Sequence, residues 1–216
     1  MTGSAIPIIS FDDVKTAGDV TLIDIRTPAE FSRGHIVGSL SVEYSASGFP
    51  TRVDLVDSRS ERLAVVASSR PRGEAACEQL NAAGRSCVGL VQVTPDMRTE
   101  GTPVTQVTEI WATNLYPDFS GEAIVLDVRE PIELETGFVP GAICIPLGEL
   151  TGRTSELPRS KPITVICEAG LRSATAASIL LAAGFSTVAH VPDGTAGYRR
   201  TGRTLAFPEK GPDDAV

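Results

Sequence analysis

The stretch Cys167-Glu168-Ala169-Gly170-Leu171-Arg172-Ser173 holds the residue types in this 216-residue chain best placed to do chemistry. It follows a β-branched apolar run, Ile163 to Cys167, and precedes an alanine-rich run from Arg172 to Ala183 that stops at Gly184. The first run reads as a strand and the second as a helix with its C′ glycine. A loop at the carboxyl end of a parallel strand opens the crevice where α/β folds bind ligands. The helix that follows points its unpaired N–H groups, and the positive end of its dipole, back at that loop. A cysteine placed there is set up as a thiolate nucleophile. Gly170 can take a positive φ, which lets the amides from Glu168 to Ser173 converge on one anion. Arg172 adds a fixed cation, Glu168 partly opposes it, and the Ser173 hydroxyl is available to donate to the sulfur. Cys167 is therefore the candidate catalytic residue, and Glu168, Ala169, Gly170, Leu171, Arg172 and Ser173 are the candidate substrate-binding residues.

The elements that position this loop occur twice. Leu22-Ile23-Asp24-Ile25-Arg26-Thr27-Pro28-Ala29-Glu30 reads like Val125-Leu126-Asp127-Val128-Arg129-Glu130-Pro131-Ile132-Glu133. Gly34-His35-Ile36-Val37-Gly38 pairs with Gly137-Phe138-Val139-Pro140-Gly141, and Leu80-Asn81-Ala82-Ala83-Gly84 with Leu180-Leu181-Ala182-Ala183-Gly184. Three blocks in the same order, about 100 residues apart, indicate a duplicated domain. Each half reads as a strand (Val20 to Ile25; Ile124 to Val128), a short helical turn around Pro-x-Glu, a Gly-rich turn and a long irregular stretch. A second strand (Leu63 to Ala67; Ile163 to Cys167), a helix and a third strand (Cys87 to Val91; Thr187 to Val191) complete it. Short apolar strands alternating with helices predict an α/β fold, a small parallel sheet flanked by helices in each half. The expected domains are 1–103 and 104–216, with the linker in the Thr94–Thr105 segment.

The second half resembles the rhodanese-like sulfurtransferase family. The loop matches that family's Cys-x-x-Gly-x-Arg-Ser pattern. Leu126-Asp127-Val128-Arg129-Glu130 and Gly137-Phe138-Val139-Pro140-Gly141-Ala142-Ile143 match two further hallmarks, and Asp193-Gly194-Thr195-Ala196-Gly197-Tyr198 is a degenerate form of a fourth. The resemblance implies two tandem rhodanese-like domains and sulfane-sulfur transfer through a Cys167 persulfide. The donor would be thiosulfate or a persulfide and the acceptor a thiol or cyanide, with a protein sulfur carrier as a possible partner and no cofactor. Four residues separate Cys167 from Arg172. Phosphatases of the same fold carry one more, which makes a wider cradle for phosphate, so the count disfavours phosphatase or arsenate reductase activity. A non-enzymatic binding or sulfide-sensing module is the other alternative, opposed by the intact loop. An exposed Glu168 would repel small anionic donors and favour the persulfides of larger carriers.

The first half departs from the pattern at the loop. Its counterpart is Ala67-Ser68-Ser69-Arg70-Pro71-Arg72-Gly73, which has no thiol, and Pro71 lacks an amide donor. This domain is expected to be catalytically silent, and Arg70 and Arg72 read as solvated helix-start residues. Asp127 and Arg129 are expected to support the strand end, since Asp24 and Arg26 persist in the silent copy. His35 has Phe138 as its counterpart and so reads as structural. Cys77, Cys87 and Cys144 read as core positions, and a Cys77–Cys87 pairing does not fit a reducing compartment.

Composition narrows the rest. Hydrophobic residues make up 42% and aromatics only 5%, so the core must be aliphatic. A net charge of −8, with both halves acidic, argues against nucleic acid and anionic membranes as partners. Four cysteines without a CxxC pair, and two histidines, give no basis for a structural metal site. No apolar run reaches membrane-helix length and the first residues have no basic region, so a cytoplasmic location is expected.

Overall fold

A computed structural model describes residues 5–94, 101–116 and 121–209. Residues 95–100, the middle of the expected linker, lie outside the described residues. The chain divides into two compact units. One runs to Val107 and includes Leu181–Ala183; the other comprises the rest from Thr108.

The first unit contains α1 (Phe11–Ala17), β1 (Val20–Asp24), α2 (Pro28–Arg33), β2 (His35–Ile36), β3 (Leu40–Ser41), α3 (Phe49–Val56), β4 (Arg62–Ala67), α4 (Arg70–Ala82), β5 (Ser86–Gln92) and β6 (Val104–Thr105). Its main sheet has the order β3-β1-β4-β5, and the pairs within it are parallel. Ile23, Leu63, Val65 and Val66 are fully buried, as expected for parallel strands covered on both faces. Val14 of α1 packs with Leu22, Ala64, Val66 and Val91 on one face. β6 pairs antiparallel with β2 as a separate two-stranded ribbon.

The second unit contains β7 (Thr108–Glu109), β8 (Ile124–Asp127), α5 (Pro131–Leu134), β9 (Ile143–Cys144), α6 (Leu147–Arg153), β10 (Ile163–Ile166), α7 (Leu171–Ala182), β11 (Val188–His190) and α8 (Gly194–Arg200). The sheet order is β7-β11-β10-β8-β9, again with parallel pairs. The chain leaves β8 outward to β9 and returns on the other side of β8 to form β10. The order therefore reverses between β8 and β10, and a crevice opens at their carboxyl ends. Cys167 follows β10 directly.

Two expectations need correction. The stretch expected to be irregular contains a helix in each unit, α3 and α6. Phe49-Pro50 at the start of α3, and Gly148 and Gly152 in α6, conceal them in the sequence. Burial of Phe49, Val53 and Val56, and of Leu147 and Leu150, outweighs that poor propensity. Cys77 and Cys87, expected to be unpaired, form a disulfide with Cα atoms 5.3 Å apart. Packing of α4 on β5 brings the two backbones within the span a disulfide bridges.

Candidate active site

The loop after β10 is held from behind by the start of α8. The carbonyl of Cys167 accepts from the Thr195 amide at 2.8 Å and from the Thr195 hydroxyl at 2.9 Å, and the Glu168 carbonyl accepts from the Ala196 amide at 3.1 Å. With its first two carbonyls turned toward α8, the loop keeps oxygen away from the sulfur. Two glycines make this possible. Gly170 has φ +89°, and a Cβ there would overlap the Pro192 carbonyl; a Cβ on Gly194 would overlap the carbonyls of Cys167 and Glu168.

Helix α7 begins at Leu171, with Gly170 as its N-cap: the Ala174 amide donates to the Gly170 carbonyl at 3.2 Å. Ser173 is the third helical residue, and its backbone N–H donates to Cys167 Sγ at 3.3 Å. The expected donor was the Ser173 hydroxyl. That hydroxyl instead donates to the Gly170 carbonyl at 3.0 Å and lies 3.3 Å from His190 Nδ1. The third position of a helix aims its amide along the axis while its side chain turns back to the N-cap, so the amide meets the sulfur. Cys167 is 1% exposed. Ala169 and Leu171 face solvent, so they rim the loop.

Behind the loop, Arg129 and Asp127 are fully buried and joined by Arg129 Nη2 to Asp127 Oδ2 at 2.7 Å and Nε to Oδ1 at 3.0 Å. Arg129 Nη1 donates to the Glu133 carbonyl and Thr136 Oγ1, both at 3.2 Å, and Nη2 to the Gly137 carbonyl at 3.0 Å. Arg26 and Asp24 repeat the pair at 2.6 Å in the first unit, where Arg26 reaches the Gly34 carbonyl at 2.9 Å.

The loop's charges are paired with partners from outside the loop. Arg172, expected as a fixed cation for ligand, makes a two-pronged contact with Glu133, at 2.5 Å and 2.6 Å. Those hydrogen bonds hold the Glu133 carboxyl down at about 2, against the opposing effect of burial. Glu168, expected to project its charge, pairs with Arg199 of α8 and lies 3.6 Å from Arg129 Nη1. Glu133, Arg199 and His190 were missed as site residues. His190 is fully buried between Ser173 and Glu109, with Nε2 3.7 Å from Glu109 Oε1; burial pushes it below the ordinary histidine value, against the pull of Glu109. His35 stacks on Phe31 at 3.8 Å, a packing role. Burial pushes the Cys144 thiol up to about 11, which makes it a poor nucleophile. Among the described residues no cluster of His, Cys, Asp or Glu could hold a metal ion, and no helix is long and apolar enough to cross a membrane.

Two parallel α/β units, one carrying a cysteine loop between a strand end and a helix start, define a class of tandem α/β domain protein. The rhodanese-like domain model matches residues 10–92 and again 114–201, and the chain belongs to that family. A sulfurtransferase of Allochromatium vinosum is 28% identical over 88 residues, covering 41% of this chain and 82% of that protein. The thiosulfate sulfurtransferase GlpE of Pseudomonas syringae is 32% identical over 79 residues, 37% of this chain and 74% of that one. A putative sulfur carrier protein of Bacillus subtilis is 41% identical over 80 residues, 37% of this chain, which spans only 42% of that protein. Among solved structures, a rhodanese-related protein of Thermoplasma volcanium aligns over 47% of this chain and 99% of its own, with TM-score 0.43 and 35% identity.

Proposed function

We propose that this protein is a sulfurtransferase that carries sulfane sulfur as a persulfide on Cys167. The Cys167 thiolate attacks the outer sulfur of thiosulfate or of a persulfide donor. A new S–S bond forms, the donor's S–S bond breaks, and its electron pair leaves with sulfite or the donor thiolate. An acceptor thiolate or cyanide then attacks the outer sulfur of the Cys167 persulfide. Cys167 leaves as a thiolate, and the acceptor departs as a persulfide or as thiocyanate. The two displacements predict ping-pong kinetics.

The observation that carries this reading is the Ser173 amide 3.3 Å from Cys167 Sγ at the start of α7. A helix amide aimed at the sulfur favours its anionic form and the charge that develops there during transfer. Relatives named as sulfurtransferases support the same chemistry. Under this reading Asp127 and Arg129 fix the strand end behind the loop, and the first unit, with Ala67 where the second has Cys167, transfers no sulfur. The test is intact-mass analysis of the full chain after incubation with thiosulfate, mercaptopyruvate or a small-molecule persulfide. Cys167 is expected to gain one sulfur atom, and Cys167→Ala none. Failure with every donor overturns the proposal.

A further inference from the structure

Three arginines surround the Cys167 loop, and they differ in how firmly they are held. Arg129 is fully buried, and all its N–H groups are used by Asp127, Glu133, Thr136 and Gly137. Arg172 is gripped at both ends of its guanidinium by Glu133, whose carboxylate also accepts from the Glu130 amide at 3.0 Å. Arg199 bonds one oxygen of Glu168 through Nη2 and Thr136 Oγ1, at 3.3 Å, through Nη1. Its side chain is 31% exposed, and that of Glu168 is 39% exposed. Glu168 follows the nucleophile directly in the chain, and its carboxylate holds Arg199.

We propose that the Glu168–Arg199 pair is an exchangeable lock on this site. Arg199, released from Glu168, binds the anionic group of a small sulfur donor whose charge lies beside its reacting sulfur, such as a sulfonate or a carboxylate. An incoming anion replaces one carboxylate by another on the same guanidinium. Because both partners are already partly hydrated, the exchange carries a small desolvation cost. Arg129, 3.6 Å from the other Glu168 oxygen, supplies a fixed positive field but has no N–H left to give. Glu168 thus competes with the substrate for Arg199. The substrate class rests on the sulfurtransferase reading; the anion lock does not.

The test uses two alkylating probes of similar shape, anionic iodoacetate and neutral iodoacetamide, and follows their rates at Cys167 by peptide mass. Glu168→Gln is expected to raise the iodoacetate-to-iodoacetamide rate ratio about fivefold, and Arg199→Gln to lower it by a similar factor. Arg199→Lys, which keeps the charge, should stay near the parent. In the Arg199→Gln background, Glu168→Gln should change nothing further. An equal rise in that background would mean that Glu168 acts by its own repulsion alone, and the lock is refuted. Unchanged ratios in both single variants refute it as well. With thiosulfate, Glu168→Gln should lower KM. If no donor persulfidates Cys167 yet the ratios shift as stated, the sulfurtransferase reading fails and the anion lock stands. If persulfidation proceeds and the ratios do not move, the lock fails alone.

Discussion

Replacing Ser173 with proline removes the one N–H shown to point at Cys167 Sγ, from 3.3 Å. The position suits the substitution. Ser173 lies in the first turn of α7, where a backbone amide has no carbonyl partner within the helix and proline is tolerated. Arg172, as the residue before proline, is pushed away from helical backbone, so some stability is lost, about 1–2 kcal/mol. Ser173→Ala is the companion variant. It loses the hydroxyl's bond to the Gly170 carbonyl, about 1 kcal/mol, and keeps the amide. A hydrogen bond to a charged acceptor contributes about 1.5–3 kcal/mol. If the amide stabilises the sulfur during transfer, Ser173→Pro should slow persulfide formation by about 10- to 150-fold relative to Ser173→Ala. The assay is single-turnover persulfidation by thiosulfate, quenched and read by mass, with thermal melting of both variants to set the temperature at which each is folded. A Ser173→Pro rate within about threefold of Ser173→Ala would show that the amide contact is geometry without consequence.

Two further outcomes follow from the ion pairs behind the loop. Arg129→Met leaves Asp127 charged and buried without its partner, so the second unit should lose about 3–5 kcal/mol in denaturant unfolding, and a midpoint equal to the parent's would contradict the pairing. Glu133 is held at about 2 in the folded protein, below its ordinary value, so its contribution to stability is complete above about pH 4.5 and fades as pH falls toward 2. The melting difference between the parent and Glu133→Gln should therefore be flat from pH 5 to 8 and shrink below that range; a difference that instead grows on acidification would reverse the assigned sign.

The central strands and the place of Cys167 were legible because they are local patterns. Ile163 to Ile166 is a run of β-branched residues, Gly170 follows it, and an alanine-rich helix comes next. What was not legible is contact between elements far apart in the chain. Arg172 and Glu133 are 39 residues apart, Arg199 and Glu168 31, and Ser173 and His190 17. They meet only because β8, β10 and β11 lie side by side. A partial signal existed for Glu133. It ends a Pro-x-Glu in both halves, where a glutamate caps the helix start, as Glu130 and Glu133 do in α5. That capping role accounts for the residue by itself and hides its second partner. The Ser173 hydroxyl was misassigned for a related reason: residue type suggested a donor, while the helix register decided which donor faces the sulfur.

The two copies also separate what the fold needs from what the site needs. Both keep the aspartate–arginine pair at the end of the first central strand, bound to the same turn carbonyl, at Gly34 and Gly137. That pair therefore serves the architecture wherever it occurs. The copies part company after the second central strand. In the second unit the Cys167 carbonyl is taken by Thr195, at the start of α8. In the first unit Ala67, its counterpart, gives its carbonyl to the Val93 amide at 2.9 Å, because β5 runs on as a strand where the second unit has turned toward α8. The position of Gly170 is filled by Arg70, which is already the first residue of α4. Where Arg172 crosses to Glu133, the first unit offers only a Ser68 hydroxyl 3.4 Å from Glu30. Restoring a cysteine at position 67 alone would therefore rebuild a thiol without a cradle. The loop needs the glycine, the later helix start and the α8 cap together, and these differences, more than the missing sulfur, are what make the first unit silent under the proposed reading.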